Sequence, residues 1–249
     1  MMEWHEDIEF WELLGPLMFN KDRWEEAALD IPNMEDLLDL QAGVRILDMA
    51  CGTGRYALPL ARAGFEVTAV DPIGTYLEEG RKMAGKESLD IEFIRGDMRT
   101  FSREQAFDAV VIMGTSFGIF RSEDEERISV TNMTNSLVEG GRILLETVGE
   151  GTGRGTRPNS YEYSAEGLVC TETHRPRGDG IWVDSHLKVV HDAGVNEYSY
   201  SYRVYTPDTF SDLLRTCGLK DVHCFSDLTG IPYTPSSEKM FVVARKADE

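Results

Sequence analysis

The residues best suited to chemistry lie in one short run, Ile46-Leu47-Asp48-Met49-Ala50-Cys51-Gly52-Thr53-Gly54. An apolar segment ends in an acid. A glycine-rich turn then opens a stretch in which Ala57, Leu60 and Ala61 recur at helical spacing before Gly64. A buried parallel strand that delivers a nucleotide-like ligand to a helix N-terminus has this order. The acid narrows the ligand: a carboxylate at Asp48 repels a pyrophosphate but suits a ligand that lacks phosphate and carries a cationic end. A second strand-like run, Glu66-Val67-Thr68-Ala69-Val70, ends at Asp71, 19 residues after Gly52. That is the spacing of a carboxylate that takes ribose hydroxyls.

On these residues the chain resembles the class I S-adenosylmethionine-dependent methyltransferases, over residues 44–148 and more weakly to the C-terminus. The motif Asp48-x-Ala50-x-Gly52-x-Gly54 has alanine where many members carry a first glycine. The resemblance implies an α/β fold, a Rossmann-like seven-stranded sheet with helices on both faces. It implies S-adenosylmethionine as cofactor and S-adenosylhomocysteine as product. In that family pattern Asp48, Ala50, Cys51, Gly52 and Gly54 form the cofactor loop, and Asp71 and Pro72 serve the ribose. Asp97, after the run Ile91-Glu92-Phe93-Ile94-Arg95, accepts the adenine amino group while Met98 packs on the ring. The run Phe107–Ile112 leads into Met113 and Gly114, which face the sulfonium and the substrate. A fifth strand, Arg142–Thr147, follows the Gly140-Gly141 turn.

Around this core the chain divides into 1–43, a helical lid; 44–148, the cofactor-binding core; 149–205, an insertion; and 206–249, a closing helix and hairpin. In the first segment Phe10, Trp11, Leu13, Leu14, Leu17 and Met18 repeat every three or four residues, as do Trp24, Ala27, Ala28 and Ile31. Pro32 predicts a break, with Asn33 capping a new helix and Asp36 in the capping-box position. Similar methyltransferases lay such helices across the cofactor mouth. Phe19 and Trp11 would then cover the ligand and Arg23 would meet its carboxylate; plain packing on the sheet edge is the other reading. Residues 149–160 are glycine-rich and read as a flexible connection. Strand-like runs at 161–174, 180–192 and 197–205 predict a three-stranded antiparallel meander, which is also the candidate surface for a homo-oligomer. Thr206-Pro207-Asp208 then starts a helix.

Methyl transfer is an in-line displacement, and a base is needed only when the nucleophile arrives protonated. Candidate catalytic residues are Glu146, at a strand end bordering the ligand crevice, and His174 and His186 on the inserted strands, with His191 behind them. Strand alternation leaves open which way each histidine points. Tyr161 and Tyr163 share a face, as do Tyr198, Tyr200 and Tyr202, and read as the insertion's own core, a substrate wall or a subunit contact.

The formal net charge of −19 argues against nucleic acid, which needs a basic surface. Residues 1–43 hold twelve carboxylates against Lys21 and Arg23. A solvated helical face accounts for that excess, and attraction of a cationic amine is the sharper alternative. No apolar stretch reaches membrane-spanning length, no signal peptide is legible, and Cys51, Cys170, Cys217 and Cys224 form no Cys-x-x-Cys pair. A cytoplasmic protein without a metal site or membrane partner is expected. The loop Met113-Gly114-Thr115-Ser116 lacks the Asp/Asn-Pro-Pro-Tyr motif of nucleic-acid amino methylation, and no Pro-Cys nucleophile is present. The expectation is a small-molecule acceptor, nitrogen ahead of oxygen. A cofactor-binding sensor without turnover and a nicotinamide-dependent oxidoreductase are the alternatives; Asp48 and Asp97 argue against the second.

Overall fold

A computed structural model describes residues 4–120, 122–153, 159–165 and 167–248. After a 3-10 turn, Trp4–Glu6, the elements run α1 Ile8–Met18, α2 Lys21–Leu38, β1 Arg45–Met49, α3 Ala57–Arg62, β2 Glu66–Asp71, α4 Gly74–Glu87, β3 Ile91–Arg95, β4 Phe107–Ile112, α5 Glu123–Ser136, β5 Leu137–Val148 and α6 Glu150–Gly153. Four inserted strands follow: β6 Asn159–Ala165, β7 Leu168–Pro176, β8 Trp182–His191 and β9 Gly194–Arg203. The chain closes with α7 Pro207–Thr216, β10 Leu219–Phe225 and β11 Lys239–Lys246.

Seven strands form one sheet in the order β10-β11-β5-β4-β1-β2-β3. Neighbours from β5 to β3 are parallel, and β11 is antiparallel to both β5 and β10. Strands buried on both faces read as mainly apolar runs, and β1 and β4 are apolar but for Arg45, Asp48 and Asp108. One face carries Ile46, Ala109, Val111 and Leu144 against Ala27, Ile31, Met34 and Leu58. The other carries Leu47, Val110, Ile143 and Val242 against Val130, Met133, Phe210 and Leu214. From β1 the chain moves outward through β2 and β3, then returns to place β4 on the other side of β1. That reversal opens a crevice at the carboxyl ends of β1 and β4.

Three expectations change. Lys21–Leu38 is one helix with Pro32 inside it, capped by Asn20, whose Oδ1 accepts from the Arg23 N–H at 3.0 Å. Buried Ile31, Met34 and Leu38 hold it on the sheet across the proline, so Asn33 caps nothing. The insertion has four strands, because the 161–174 run folds back near Gly167 (φ +85°) into β6 and β7. The start of the glycine-rich connection is docked: the Gly149 and Gly151 N–H groups donate to Glu238 and Ser237 carbonyls at 2.7 and 2.9 Å. A Cβ at either glycine would meet a backbone oxygen at 2.3 Å, so close approach explains them. Residues 154–158 of that connection lie outside the described residues.

The four-stranded sheet packs on α1. Phe10, Leu14 and Leu17 interlock with Leu168, Cys170, Leu187 and Val189. The first helix therefore seats on the insertion, and together they roof the crevice.

Candidate active site

The loop after β1 alternates left-handed residues, with φ +59° at Ala50, +57° at Gly52 and +87° at Gly54. Ala50 holds that conformation at a cost of about 1–2 kcal/mol, strain of the kind stored at functional sites. Asp71, ending β2, cross-braces the loop: its Oδ2 accepts from the Gly52 N–H at 2.8 Å and its Oδ1 from the Ile73 N–H at 2.8 Å. Phe19 lies so close over Gly52 that a Cβ there would come within 2.4 Å of its ring. Phe19 in turn meets Tyr76 edge-on, with centroids 4.9 Å apart, and the Tyr76 hydroxyl donates to the Trp11 carbonyl.

The crevice is a cavity of about 780 Å³. Asp48, Ala50, Cys51, Gly52, Asp71, Pro72, Asp97, Met98, Met113, Gly114, Glu146, Phe19 and Arg23 all line it, as do Trp11 and His174. Gly54 does not; it sits behind the loop, where a Cβ would strike Leu58. Among the described residues no group of side chains could hold a metal ion, and no helix is long and apolar enough to cross a membrane.

Asp48 is 2 % exposed, and its Oδ2 has no hydrogen-bond partner among the described residues. Burial pushes its carboxyl up to about 7, opposed by nearby Arg55 and aided by Asp71. Burial likewise raises Asp71 to about 6, against the two N–H groups it accepts. Two crowded, under-compensated acids on a glycine loop invite a cationic ligand rather than an anion. Asp97 is held by Arg99, which donates from Nε and Nη2 at 3.0 and 2.7 Å and also reaches Glu125 and Glu6. Arg99 thus ties the end of β3 to α5 and to the N-terminal turn.

Glu146 is fixed on both oxygens. Oε2 accepts from the Gly114 N–H at 2.7 Å, and Oε1 lies 2.9 Å from Lys239 Nζ. It thereby holds the loop after β4 while bordering the cavity. The histidines divide. His174 is buried against the cavity, whereas His186 points outward, its side chain 49 % exposed and paired with Glu197 at 3.7 Å. The expectation of His186 in the site is corrected by strand parity: Val183, Ser185, Leu187 and Val189 face inward on β8, and His186 faces the other way. His191 is also outside the cavity, bonded to Asn196 at 2.7 Å. Residues not foreseen are Arg55, Arg99, Lys239 and Glu172. Glu172 had a legible signal, since it shares parity on β7 with Leu168, Cys170 and His174.

Comparison with known proteins agrees with this geometry. Residues 46–141 match the family model described as a methyltransferase domain. The glycine/sarcosine N-methyltransferase of Aphanothece halophytica is 31% identical over 215 residues, 81% of this chain and 76% of that protein. An S-adenosylmethionine-dependent methyltransferase from Clostridium acetobutylicum superposes with TM-score 0.77 at 16% identity, covering 96% of this chain and 97% of that one. The amino pentose methyltransferase CalS10 of Micromonospora echinaspora, solved with its cofactor, superposes with TM-score 0.66 at 22% identity, covering 92% and 93%. The chain belongs to the class I S-adenosylmethionine-dependent methyltransferases. It is an enzyme of methyl transfer, and S-adenosylmethionine is its cofactor.

Proposed function

We propose that the enzyme methylates a small amine. The observation that carries this reading is the cavity of about 780 Å³ whose floor is the glycine loop and whose roof is the polar inner face of the insertion. That volume falls in the range of small-ligand pockets, roughly 300–1,000 Å³. Trp4, Phe10, Trp11 and Tyr200 wall it. The acidic surface, with a net charge of −19, favours a cationic acceptor over a phosphate polymer. The relative named as a glycine/sarcosine N-methyltransferase and the structure named as an amino pentose methyltransferase lend support for nitrogen.

When bound, S-adenosylmethionine supplies an electrophilic methyl group on a sulfonium. The residues fit it: Asp48 has an unpartnered buried oxygen for a cationic end. In this reading Asp71 takes the ribose hydroxyls on lone pairs left over from its two N–H bonds. Asp97, fixed by Arg99, and Met98 serve the adenine. Arg23 and Arg55, both lining the cavity, are cations within it for the methionine carboxylate. Phe19 closes the loop from above and excludes water, and Glu146 steadies the Met113-Gly114 turn where acceptor and methyl must align.

The test is transfer of a labelled methyl group from S-adenosylmethionine into a cell extract separated by size. Label in the low-molecular-mass fraction is expected. Label confined to macromolecules would overturn the acceptor class, and tight cofactor binding with no label anywhere would point to a sensor.

A further inference from the structure

The inner face of the insertion changes character along its length. Beneath α1 it is apolar, with Leu168, Cys170, Leu187 and Val189. Where it meets the cavity, Glu172, His174, Tyr200 and Tyr202 replace that pattern, and all four line the cavity. Apolar residues would roof a chamber more cheaply than a buried acid and imidazole.

These side chains form an ordered chain of contacts. His174 Nε2 lies 3.0 Å from Glu172 Oε1, and the Tyr202 hydroxyl lies 3.1 Å from His174 Nδ1. Ser185 donates to the same Glu172 oxygen at 2.8 Å, and the Tyr200 hydroxyl does so too. Tyr163 donates to the other Glu172 oxygen at 3.2 Å, so the carboxylate is held on both sides beside the imidazole. The tautomer with Nε2–H toward Glu172 leaves Nδ1 free to accept from Tyr202. A carboxylate that orients an imidazole, which in turn accepts from a hydroxyl, is the arrangement by which a buried histidine takes a proton. Burial alone would raise Glu172, but the bonds from His174, Tyr200 and Ser185 outweigh it and hold its carboxyl below the ordinary range. Burial pushes the Tyr202 phenol up, so it stays protonated until its own proton is drawn off.

Resting on the amine-acceptor reading, we infer that Glu172, His174 and Tyr202 form a proton relay that deprotonates the acceptor's amino group, with Tyr202 Oη as the atom presented to it. An acceptor arriving as an ammonium has no lone pair to attack with. Its N–H proton passes to Tyr202 Oη as the phenolic proton passes to His174 Nδ1, and Glu172 holds the imidazolium that results. The freed nitrogen lone pair forms the N–C bond, and the methyl–sulfur bond breaks with its electrons left on sulfur. The imidazolium then returns its proton to water as product leaves. Tyr202 is the catalytic residue of this set; His174 accepts the proton through it, and Glu172 positions the ring. Other titratable groups on this network are Tyr161 on β6, its ring centroid 5.3 Å from that of His174; Tyr163 on β6, which donates to Glu172 Oε2; and Tyr200 on β9, which donates to Glu172 Oε1 as Ser185 of β8 does.

The test compares wild type with Tyr202→Phe and His174→Gln. Methyl transfer from labelled S-adenosylmethionine into the low-molecular-mass extract fraction is read at about pH 7 and about pH 10. At the lower pH amines arrive charged, and each variant is expected to lose about a hundredfold in rate. At the higher pH they arrive neutral, and the variants should approach wild type. S-adenosylhomocysteine affinity, by calorimetry, should be unchanged in both. Equal losses at both pH values would mean that the network only packs the roof, and no loss at either would remove it from the reaction; both overturn the relay. Should His174→Gln fail to fold, Tyr202→Phe, which deletes one oxygen and keeps the ring, carries the test. A wild type that labels nothing small fails the amine reading and the relay with it, whereas pH-independent losses fail the relay alone.

Discussion

The cost of keeping Asp48 buried can be measured directly. Its carboxyl stands at about 7 against an ordinary 3.8, chiefly through burial. An acid whose pKa is raised by folding binds its proton more tightly in the native state. Between about pH 4 and about pH 7 the native protein therefore carries the extra proton, and stability falls as pH rises through that window. The full shift corresponds to about 4 kcal/mol. In a chain of this size that moves the midpoint of thermal unfolding by roughly 10 °C. Asp71 at about 6 and Glu126 at about 7, both raised mainly by burial, act in the same direction. Asp48→Asn removes one titration and leaves the others. Thermal unfolding by circular dichroism at about pH 5 and about pH 8 should show a smaller decline for the variant than for wild type. The ligand-free variant should gain most, relative to wild type, at the higher pH. Added S-adenosylmethionine should stabilise wild type more at the higher pH, where its cationic end meets an ionised Asp48, and should lose that advantage in the variant. An identical pH decline in both proteins, or a wild type that grows more stable with pH, would refute the reasoning.

Other perturbations follow from single contacts. Asp71→Ala removes the acceptor of the Gly52 and Ile73 N–H bonds and should weaken S-adenosylhomocysteine binding about tenfold or more by calorimetry; unchanged affinity in a folded variant would remove Asp71 from the cofactor site. Glu146→Gln keeps shape but loses the Lys239 ion pair, so cofactor affinity should hold while transfer slows, and an unchanged rate would leave Glu146 a purely structural strut. His186→Gln, altering an outward side chain, should leave transfer into the small-molecule fraction unaltered, and a marked loss would contradict its placement. Gly80→Ala would set a Cβ 2.8 Å from the Thr53 carbonyl and 2.7 Å from the Phe93 ring. It should destabilise by about 2 kcal/mol, read as a lower urea midpoint, because the helix there has no slack against the glycine loop.

The parallel core was legible because β1, β2 and β4 are largely buried and acids stand at or just past the ends of β1, β2 and β3. Asp48, Asp71 and Asp97 announced both the sheet and the ligand class. The glycine at 52 was readable for the same reason: a tight turn beside a ligand leaves few alternatives. What escaped depended on tertiary contact. Pro32 looked like a break, yet the buried face of α2 spans it. Gly149 and Gly151 looked flexible, but backbone packed against them made glycine obligatory. Arg99 carried no motif; only folding brings Glu6, Asp97 and Glu125 to one guanidinium. The histidines were half-readable. Alternation on β8 separates Val183, Leu187 and Val189 from His186, but which parity faced the cavity awaited the docking of α1 on Leu187 and Val189.

The central claim, transfer of a methyl group from S-adenosylmethionine to a small amine, is tested most directly by the position of the label in the product. The enzyme would be given S-adenosylmethionine carrying a carbon-13 methyl group and the low-molecular-mass fraction of a cell extract, and the labelled product read by NMR. A carbon-13 methyl bonded to nitrogen is the predicted result. A methyl bonded to oxygen, or label found only in macromolecules, would contradict the account.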